Sequence, residues 1–526
     1  MKKITNLFFY LFTSVLSGVL LFLAFPDYDF HLFAWIALVP FLLTIRGRKA
    51  WQAFLIGGFT GLIFFVGMAT WILKSPDVTK GAGILFYFYS SFYFSLFALF
   101  LSLILRKRLP LLAAASPLWV AFEYLRCNVS FLSLPWALLG HSQYSNLPLI
   151  QMASFTGVYG VSFFVILANA AIADLLTHWR DKRAHRLAPS PSGLKHSPYY
   201  RGLLVFTLIL VLWVPGWVSL HQHPYGKTLS VAVVQGNFPQ GVKWNREYRE
   251  KIISRYENLT EEVSKWSPHL IVWPEAATPG LVLMDITLFQ RMVSMVRRIN
   301  TYFIIGSAEY PKFDNVLAKK KKSGNTVLFF GPEGKIIGQY IKIRLVPFGE
   351  YVPLEHVIQW PEFVVAKGTN SHIAGTEYKI FGLRGTSFGT LICWETIFPD
   401  LPRRFVNEGA EFLINVSNEA WFGKNCFPYQ FLSISVFRAV ENRINLVRAT
   451  NTGVSCFIDP YGRVTDRVTN GGEDIFVAGT ARKEISISPP GTFYTRYGDV
   501  FAYVCVAFSI GLMVWSLFGK KSLDRN

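Results

Sequence analysis

Residues 386–397 read TSFGTLICWETI, and this stretch sets the fold of the second half of the chain. The short apolar run at 386–392 is followed at once by polar residues, which predicts a buried strand. Cys393 stands at the carboxyl end of that strand, where a thiol can face a cleft beside the next backbone N–H. A cysteine after an apolar run is more often a core residue. Whether Cys393 is a nucleophile therefore depends on what the neighbouring strands carry.

Strand and helix patterns alternate around this stretch from Lys227 onward. The predicted strands lie at 229–235, 270–273, 303–305, 386–392 and 411–416, with a hairpin of 327–330 and 335–340 and a β-rich close at 455–478. The predicted helices lie at 248–266, 289–298 and 431–439. Short strands that alternate with amphipathic helices predict an α/β domain.

Two charged residues follow other predicted strands of this domain. Glu275 ends the segment WPE at 273–275, where the proline stops the strand and leaves the carboxylate at its end. Lys342 follows the second hairpin strand and leads into VPFGE at 346–350. Alone, each is more often a solvated surface residue. With Cys393 they give three candidate positions at predicted strand ends.

The composition places part of the chain in lipid. With 52% hydrophobic and 16% charged residues, the chain is too apolar for an ordinary soluble protein. The apolar stretches that can cross a bilayer core lie at 7–25, 32–45, 53–73, 84–105, 111–125, 155–176, 203–220 and 500–518. The second and fifth are short enough to be re-entrant. We therefore predict a multi-span membrane domain of eight helices.

The basic residues cluster in every second loop of this pattern. The clusters are Lys2/Lys3, Arg46/Arg48/Lys49, Arg106/Lys107/Arg108, the loop 177–201 and Lys520/Lys521. The positive-inside rule assigns these loops and both termini to the cytoplasm, and the large segment before the last span to the outside. Much of the net charge of +19 is therefore a topological signal. Nucleic-acid binding fits poorly, because each cluster is short and abuts a span.

The predicted spans divide the chain into three parts. Residues 1–220 carry seven transmembrane helices, 221–498 form an external catalytic domain, and 499–526 hold the eighth helix and a cytoplasmic tail. Within the fifth span, Glu123 beside Arg126 predicts an interfacial ion pair rather than a functional site. The five cysteines show no CxxC pairing, so we expect neither a disulfide scaffold nor a metal site.

The segments WPE at 273–275, KIRLVPFGE at 342–350 and CWE at 393–395 follow one another in the order glutamate, lysine, cysteine. Together they closely resemble the nitrilase, or carbon–nitrogen hydrolase, superfamily. With the predicted spans around the domain, the chain is similar to the apolipoprotein N-acyltransferase family, the membrane branch of that superfamily. The resemblance extends to VQGN at 234–237, Trp244, NVSNEAWFG at 415–423, residues 438–441, RATNTG at 448–453 and YTRYG at 494–498. It implies a nitrilase-like α-β-β-α sandwich for the catalytic domain.

The resemblance also implies roles for the candidate site residues. A thiol is mostly protonated at neutral pH, so Cys393 as nucleophile needs a base, which is Glu275. Lys342 is the expected cation that stabilises an oxyanion. The supporting residues are Glu350, Glu395, Trp394 and Trp244. The two carboxylates are expected to orient or balance the lysine, the backbone N–H of Trp394 to face the oxyanion, and Trp244 to belong to a lid.

By the same resemblance, the enzyme moves the sn-1 acyl chain of a phospholipid, phosphatidylethanolamine, onto Cys393 as a thioester. The second acceptor is the N-terminal amine of S-diacylglyceryl-cysteine in an apolipoprotein, and this ping-pong scheme needs no cofactor. The implied partners are the phospholipid donor and the diacylated apolipoprotein. The implied location is the bacterial inner membrane with the catalytic domain in the periplasm, and we expect a monomer.

The chain departs from the acyltransferase pattern at three positions. Trp394 stands where tyrosine is common, Glu419 where aspartate is usual, and Arg344 where histidine or asparagine is common. The segment CWE supports a rival function, a membrane-tethered nitrilase or amidase that passes the acyl group to water, although many spans argue against it. A non-catalytic scaffold and a transporter are weaker alternatives, because the candidate site is intact and the spans hold few charged residues.

Overall fold

The chain folds into two compact units. The computed structural model of the protein describes residues 2–76, 78–107, 109–183, 198–221, 226–242, 245–310, 323–365, 372–487 and 491–518. One unit, here called the helical unit, comprises Met1–Thr70, Gly83–His221 and Asp499–Asn526. The other, the α/β unit, comprises Trp71–Ala82 and Gln222–Gly498. The end of the third predicted span and the loop that follows it therefore belong to the α/β unit.

The helical unit is built from apolar helices. They are α1 (Lys2–Leu23), α2 (Val39–Ile45), α3 (Ala50–Met68), α5 (Lys80–Leu105), α6 (Leu111–Cys127), α7 (Leu147–Ile150), α8 (Ala153–Thr156), α9 (Val158–Arg183), α10 (Pro198–Ser219) and α16 (Val500–Phe518). In the described part of the chain, five helices are long and apolar enough to cross a membrane, namely α3, α5, α9, α10 and α16. The multi-span membrane character is thus supported, and the count of eight spans stays a prediction.

The second predicted span is not one continuous helix. It consists of a 3-10 turn at His31–Trp35 followed by α2, whose 7 residues rise about 10 Å, far less than a core of roughly 30 Å. Pro40 starts α2, where its missing N–H costs no helical hydrogen bond. The break is satisfied from α9, since the Asn169 amide accepts from Leu38 N at 2.8 Å and donates to Ala34 O at 2.8 Å.

The predicted ion pair between Glu123 and Arg126 does not form in the described structure. Instead, Glu123 Oε1 accepts hydrogen bonds from Trp119 Nε1 at 2.9 Å and from Leu139 N at 2.7 Å. Arg126 Nη2 donates to Ala137 O at 3.2 Å. Both side chains are buried, and these bonds satisfy one oxygen of Glu123 and one nitrogen of Arg126 within the same unit.

The α/β unit contains two six-stranded sheets. Their strands are β1 (Lys227–Gln235), β2 (Leu270–Val272), β3 (Tyr302–Glu309), β4 (Gly324–Phe330), β5 (Ile336–Ile341), β6 (Ile380–Leu383), β7 (Thr386–Ile392), β8 (Phe412–Ser417), β9 (Asn445–Thr450), β10 (Cys456–Ile458), β11 (Val464–Thr465) and β12 (Gly479–Ile487). The first sheet has the order β12-β1-β2-β3-β4-β5 and the second β11-β10-β9-β8-β7-β6. Strands β1, β2 and β3 pair in parallel in the first sheet, and β7, β8 and β9 do so in the second. The other neighbouring pairs in both sheets are antiparallel.

The two sheets face each other and helices cover their outer faces. The helices of the unit are α4 (Trp71–Lys74), α11 (Arg249–Ser264), α12 (Ile286–Ile299), α13 (Asp400–Asn407), α14 (Phe427–Asn442) and α15 (Phe493–Tyr497). Between the sheets, the rings of Phe329 and Phe388 lie 5.2 Å apart. Buried side chains of α11 and α12 pack on the first sheet, and α13 and α14 pack on the second. The unit is therefore the α-β-β-α sandwich that the resemblance predicts.

This topology gathers chain segments at one edge of the sandwich. In parallel strands the carboxyl ends meet at the same edge, where α/β proteins place their ligands. The segments that leave β2 and β7 there carry Glu275 and Cys393. Because β4 runs antiparallel to β3 and β5 antiparallel to β4, β5 also ends at this edge and is followed by Lys342.

Candidate active site

Cys393 occupies a sharp turn at the end of β7. Its φ of 49° lies in the left-handed region, which an L residue adopts at a cost of about 1 kcal/mol or more. The turn is held from the neighbouring strand β8, where Asn415 Nδ2 lies 3.2 Å from Leu391 O and 3.5 Å from Cys393 O. Cys393 is half-buried as a residue, and the turn holds its thiol at this edge of the sandwich.

Glu275 is fixed by hydrogen bonds to both carboxylate oxygens. Asn418 N donates to Oε2 at 2.8 Å, and Asn325 Nδ2 donates to Oε1 at 3.1 Å. The backbone around Glu275 packs closely on Gly306 of β3. A Cβ at that glycine would lie 2.7 Å from the Glu275 Cα and would collide with the Pro274 carbonyl oxygen. Only glycine at this position leaves room for the carboxylate where it stands.

Lys342 is fully buried between two carboxylates. Its Nζ lies 2.7 Å from Glu350 Oε1 and 3.9 Å from Glu275 Oε1. Asn325 Nδ2 also donates to Glu350 Oε1 at 2.7 Å, so this one amide joins both acids. Burial alone would lower the pKa of Lys342, but Glu350 and Glu275 outweigh it and raise that pKa. The lysine therefore stays cationic at neutral pH.

The thiol of Cys393 interacts electrostatically with the same charges. Burial raises the pKa of Cys393, and the negative charge of Glu275 raises it further, while Lys342 opposes both effects. The raised pKa means that the resting group is a thiol rather than a thiolate at neutral pH. Nucleophilic attack by this residue would therefore require a neighbouring base, and Glu275 is the carboxylate whose charge acts most strongly on the thiol.

Glu395 does not contact the lysine head group but fixes the backbone beside it. It is fully buried, and it accepts hydrogen bonds from Tyr340 Oη at 2.8 Å, Ile343 N at 2.7 Å, Arg344 N at 3.1 Å and Ile392 N at 2.7 Å. These donors come from the chain on either side of Lys342 and from the end of β7. Glu395 thus ties the lysine segment to the nucleophile strand. Burial raises the pKa of its carboxyl group.

The other residues singled out in the sequence lie in different places. The ring of Trp394 is half-buried and stands 6.0 Å from that of Phe398. Arg344 forms a bidentate ion pair with Asp400 at 2.8 and 2.9 Å, and its guanidinium lies over the ring of Phe398. Trp244 lies outside the described residues.

Glu419 forms a fully buried ion pair beneath the nucleophile turn. Its Oε1 lies 2.8 Å from Arg448 Nη2, and Arg448 Nη1 donates to Asn415 Oδ1 at 2.9 Å. Burial outweighs the nearby guanidinium and raises the pKa of Glu419 to about 7. The longer acid that replaces the usual aspartate is therefore part of a network that supports Asn415 and, through it, the carbonyl of Cys393.

The sequence analysis predicted Glu275, Lys342 and Cys393 as site residues. It did not predict the asparagine residues that hydrogen-bond to this cluster. Asn325 was missed because the predicted hairpin strand began at Val327. The observed register pairs Thr326 with Ile341, which puts Asn325 opposite Lys342. Extending the predicted hairpin by two residues would have revealed that juxtaposition. Asn415 and Asn418 lay within a quoted segment but carried no assigned role. Within the described residues, no group of three or more metal-ligating side chains occurs.

Comparison with known proteins identifies the family of the chain. The family profile described as carbon-nitrogen hydrolase matches residues 230–486, and that of the apolipoprotein N-acyltransferase N-terminal domain matches residues 17–171. An apolipoprotein N-acyltransferase of Geobacter metallireducens is 35% identical over 97% of this chain and 96% of its own length. The chain belongs to the apolipoprotein N-acyltransferase family.

Further apolipoprotein N-acyltransferases are similar over nearly the whole chain. That of Pasteurella multocida is 28% identical and aligns with 99% of this chain and 97% of its own length. That of Vibrio cholerae is 29% identical, with 95% of each chain aligned. Among solved structures, an amidase from Nesterenkonia sp. covers 50% of this chain and 93% of its own, with 15% identity and a TM-score of 0.36. The predicted family and enzyme class, an acyltransferase of the carbon–nitrogen hydrolase superfamily, are confirmed.

Proposed function

We propose that this apolipoprotein N-acyltransferase carries an acyl chain from a phospholipid, through a thioester on Cys393, to the N-terminal amine of a diacylated apolipoprotein. The observation that supports this scheme most directly is the cluster of Glu275, Lys342 and Cys393 at one edge of the sandwich. A thiol with a raised pKa, a carboxylate and a permanently charged ammonium are the groups that acyl transfer by a cysteine requires.

In the first half-reaction, the thiol sulfur of Cys393 attacks the sn-1 ester carbonyl of phosphatidylethanolamine. Glu275 takes the thiol proton as the S–C bond forms. The negative charge that develops on the carbonyl oxygen is stabilised by the Lys342 ammonium and the backbone N–H of Trp394. When the ester C–O bond breaks, Glu275 returns the proton to the leaving alkoxide. The products are the acyl-enzyme thioester and a lysophospholipid.

In the second half-reaction, the free α-amine of S-diacylglyceryl-cysteine attacks the thioester carbonyl. Glu275 removes a proton from the attacking nitrogen while the N–C bond forms. The C–S bond then breaks, and the proton passes to the Cys393 thiolate, which restores the thiol. The product is a triacylated lipoprotein. Glu275 returns each proton that it takes up within the same half-reaction, so the cycle needs no cofactor.

The supporting residues act on the lysine and its surroundings. Glu350 accepts a hydrogen bond from Val346 N at 2.8 Å through its other oxygen, and so it holds Lys342 toward the nucleophile. Glu395 acts through the backbone on either side of the lysine. We expect Trp394 to supply its N–H to the oxyanion and Trp244 to contribute to a lid over the acyl chain.

We place this reaction at the outer surface of a bacterial inner membrane. The alternation of basic loops supports eight spans, cytoplasmic termini and a periplasmic catalytic domain, with boundaries at 1–220, 221–498 and 499–526. Both lipid substrates are anchored in the bilayer, so a thioester site at its surface limits them to productive encounters. The proposed partners are the phospholipid donor and the diacylated apolipoprotein, and the proposed state is a monomer.

An adduct measurement tests the thioester. Purified enzyme is incubated with phosphatidylethanolamine, digested at acidic pH and analysed by peptide mass spectrometry. We expect an added acyl mass on the Cys393 peptide that hydroxylamine removes. Cys393→Ala should abolish it, whereas the matched variants Cys426→Ala and Cys456→Ala should keep it. A wild-type enzyme that is active yet never carries this mass would refute the thioester scheme.

A further inference from the structure

The helical unit has a lipid-sized groove far along the chain from the candidate active site. The groove has a volume of about 890 Å³ and is lined mainly by apolar atoms of Trp51, Phe54, Leu55 and Leu99. That volume is within the range of about 300–1,000 Å³ that is usual for ligand sites. Trp51 and Leu55 are well exposed, so the groove opens to the surroundings of the unit.

The groove is formed by two closely packed antiparallel helices. A Cβ at Gly57 of α3 would lie 2.8 Å from the Ala98 Cβ of α5, and one at Gly61 would lie 3.1 Å from the Ser91 Cα. As the residue number rises in α3, its contacts move backward along α5. The start of α3 therefore lies beside the end of α5, which brings Lys49 and Arg106 to the same end of the groove.

The basic residues near this end fall into two sets. Arg46 forms an ion pair with Asp174 at 2.9 Å, and Arg48 donates to Thr44 O at 3.2 Å. Lys49 and Arg106 are both exposed, and neither side chain forms an ion pair with any of the described residues. The two cations that line the groove thus have no carboxylate partner among the described residues.

We infer that this groove binds an anionic phospholipid, separate from the acyl donor, at the cytoplasmic end of α3 and α5. The phosphate and anionic head group meet Lys49 and Arg106, and an acyl chain lies along Trp51, Leu55 and Leu99. Anionic lipid attracts basic side chains beside a span, at about 1 kcal/mol or fivefold per residue. A soluble anion would leave the apolar wall uncovered, and a zwitterionic lipid would leave the excess positive charge unpaired. Phosphatidylglycerol has the required chemistry.

Lipid retention tests this inference independently of catalysis. The Cys393→Ala enzyme, which cannot form the proposed thioester, is purified in detergent, stripped of lipid and mixed with equal amounts of dioleoyl-phosphatidylglycerol and dioleoyl-phosphatidylethanolamine. Native mass spectrometry then counts the retained molecules. We expect at least a fivefold preference for phosphatidylglycerol. Equal retention of the two lipids would overturn the inference whether or not the acyl-transfer scheme holds.

Matched variants locate the site. In the same background, Lys49→Gln with Arg106→Gln should abolish the preference, while Lys49→Arg with Arg106→Lys should keep it. Lys182→Gln, at the end of another helix, is the charge-matched control and should also keep it. Leu99→Trp, which fills the groove, should lower phosphatidylglycerol retention, and excess soluble glycerol phosphate should not displace the lipid. A folded double glutamine variant with an unchanged preference, or displacement by glycerol phosphate, would contradict the assignment.

Discussion

Asn325 joins the two carboxylates that flank the buried lysine. Each of its amide hydrogens meets one acid, at 3.1 Å for Glu275 and 2.7 Å for Glu350. Without the amide, Lys342 alone remains between the two negative charges. We predict that Asn325→Ala lowers kcat/KM by about 10- to 100-fold, since a hydrogen bond to a charged group contributes about 1.5–3 kcal/mol. Steady-state acyl transfer to a diacylated lipopeptide measures the effect.

A neighbour on the same strand provides the control. Thr326 is also buried, but its hydroxyl bonds locally to Gly324 O at 3.0 Å. Thr326→Ala should therefore retain activity within about threefold of wild type, given a local bond of about 1 kcal/mol. Asn325→Asp should be less active than Asn325→Ala, because it adds a third negative charge beside the base. Full activity in the aspartate variant would show that Asn325 does not position the acids.

The charges around Cys393 make a prediction about its ionisation. Glu275 raises the pKa of the thiol, and Lys342 lowers it. Glu275→Gln should therefore shift the pH profile of iodoacetamide alkylation at Cys393 to lower pH, and Lys342→Met should shift it to higher pH. The rate constant at each pH is obtained from the mass of the Cys393 peptide. Shifts in the opposite directions, or none, would mean that these charges do not act on the thiol.

At the scale of single residues, the sequence predicted charged groups at strand ends but not the groups that hold them. Glu275, Lys342 and Cys393 stand beside recognisable breaks in apolar runs. Asn325 has no such mark, because its importance comes from pairing across a hairpin. The support of Asn415 by Arg448 depends on two parallel strands being neighbours, and sequence order alone does not give that adjacency.

At the scale of secondary-structure elements, Glu395 links β7 to the chain that follows β5. Two of its four hydrogen bonds are buried and two are partly buried, and three come from the segment around Lys342. Glutamine would place an amide N–H against one of these donors. We predict that Glu395→Gln lowers kcat/KM by about tenfold or more, since an unsatisfied buried group costs about 1–3 kcal/mol. The activity assay should be paired with a thermal melt.

Glu411 is the matched control at the other end of the strand. Its carboxylate accepts from Ser387 N at 2.9 Å and Thr386 Oγ1 at 2.8 Å, at the start of β7. Glu411→Gln should lower the melting temperature without changing the KM or the kcat of the folded enzyme. If both variants lose activity only in proportion to their stability, Glu395 has no positioning role.

The interruption before α2 makes a prediction for the helical unit. Asn169 is fully buried and satisfies the backbone of Leu38 and Ala34 at the break. In a lipid environment no water replaces such bonds. Asn169→Leu should therefore destabilise the unit by about 1–3 kcal/mol, seen as a lower melting temperature in detergent. Ser102→Ala, which removes only a bond within α5 to Leu99 O, should leave the melting temperature unchanged.

The elements that the sequence predicted best were the long and strongly patterned ones. The strand at 386–392 was predicted with the observed ends, and the last predicted span at 500–518 coincides with α16. Three strands were missed, namely β6, β9 and β12. Only the last three residues of β9 fall within the segment RATNTG, and β12 contains the charged run at 482–484 although it pairs along its whole length with β1. Tertiary pairing decided their structure, and local pattern did not.

At the scale of the whole molecule, the sequence predicted the membrane and α/β character but not that the Trp71–Ala82 segment joins the α/β unit. The Trp71–Ala82 segment belongs to the α/β unit, where Trp71 Nε1 donates to Gln430 at 3.1 Å and Ser75 Oγ to Trp421 O at 3.2 Å. Hydropathy assigned residues 71–73 to a span because tryptophan, isoleucine and leucine are apolar. The side chains that cover them come from residues about 350 positions later, which no local window can detect.

The fate of the acyl group on Cys393 is the most direct test of the central claim, that this site transfers acyl chains to an amine. Acyl-enzyme is formed with isotope-labelled phosphatidylethanolamine and separated from free lipid. It is then mixed either with a diacylated lipopeptide or with buffer alone, and the labelled products are quantified by mass spectrometry. We predict that the label moves to the lipopeptide N-terminus as an amide and persists on the enzyme in buffer. Release of the label as free fatty acid at the same rate in both mixtures would contradict the account and identify a hydrolase.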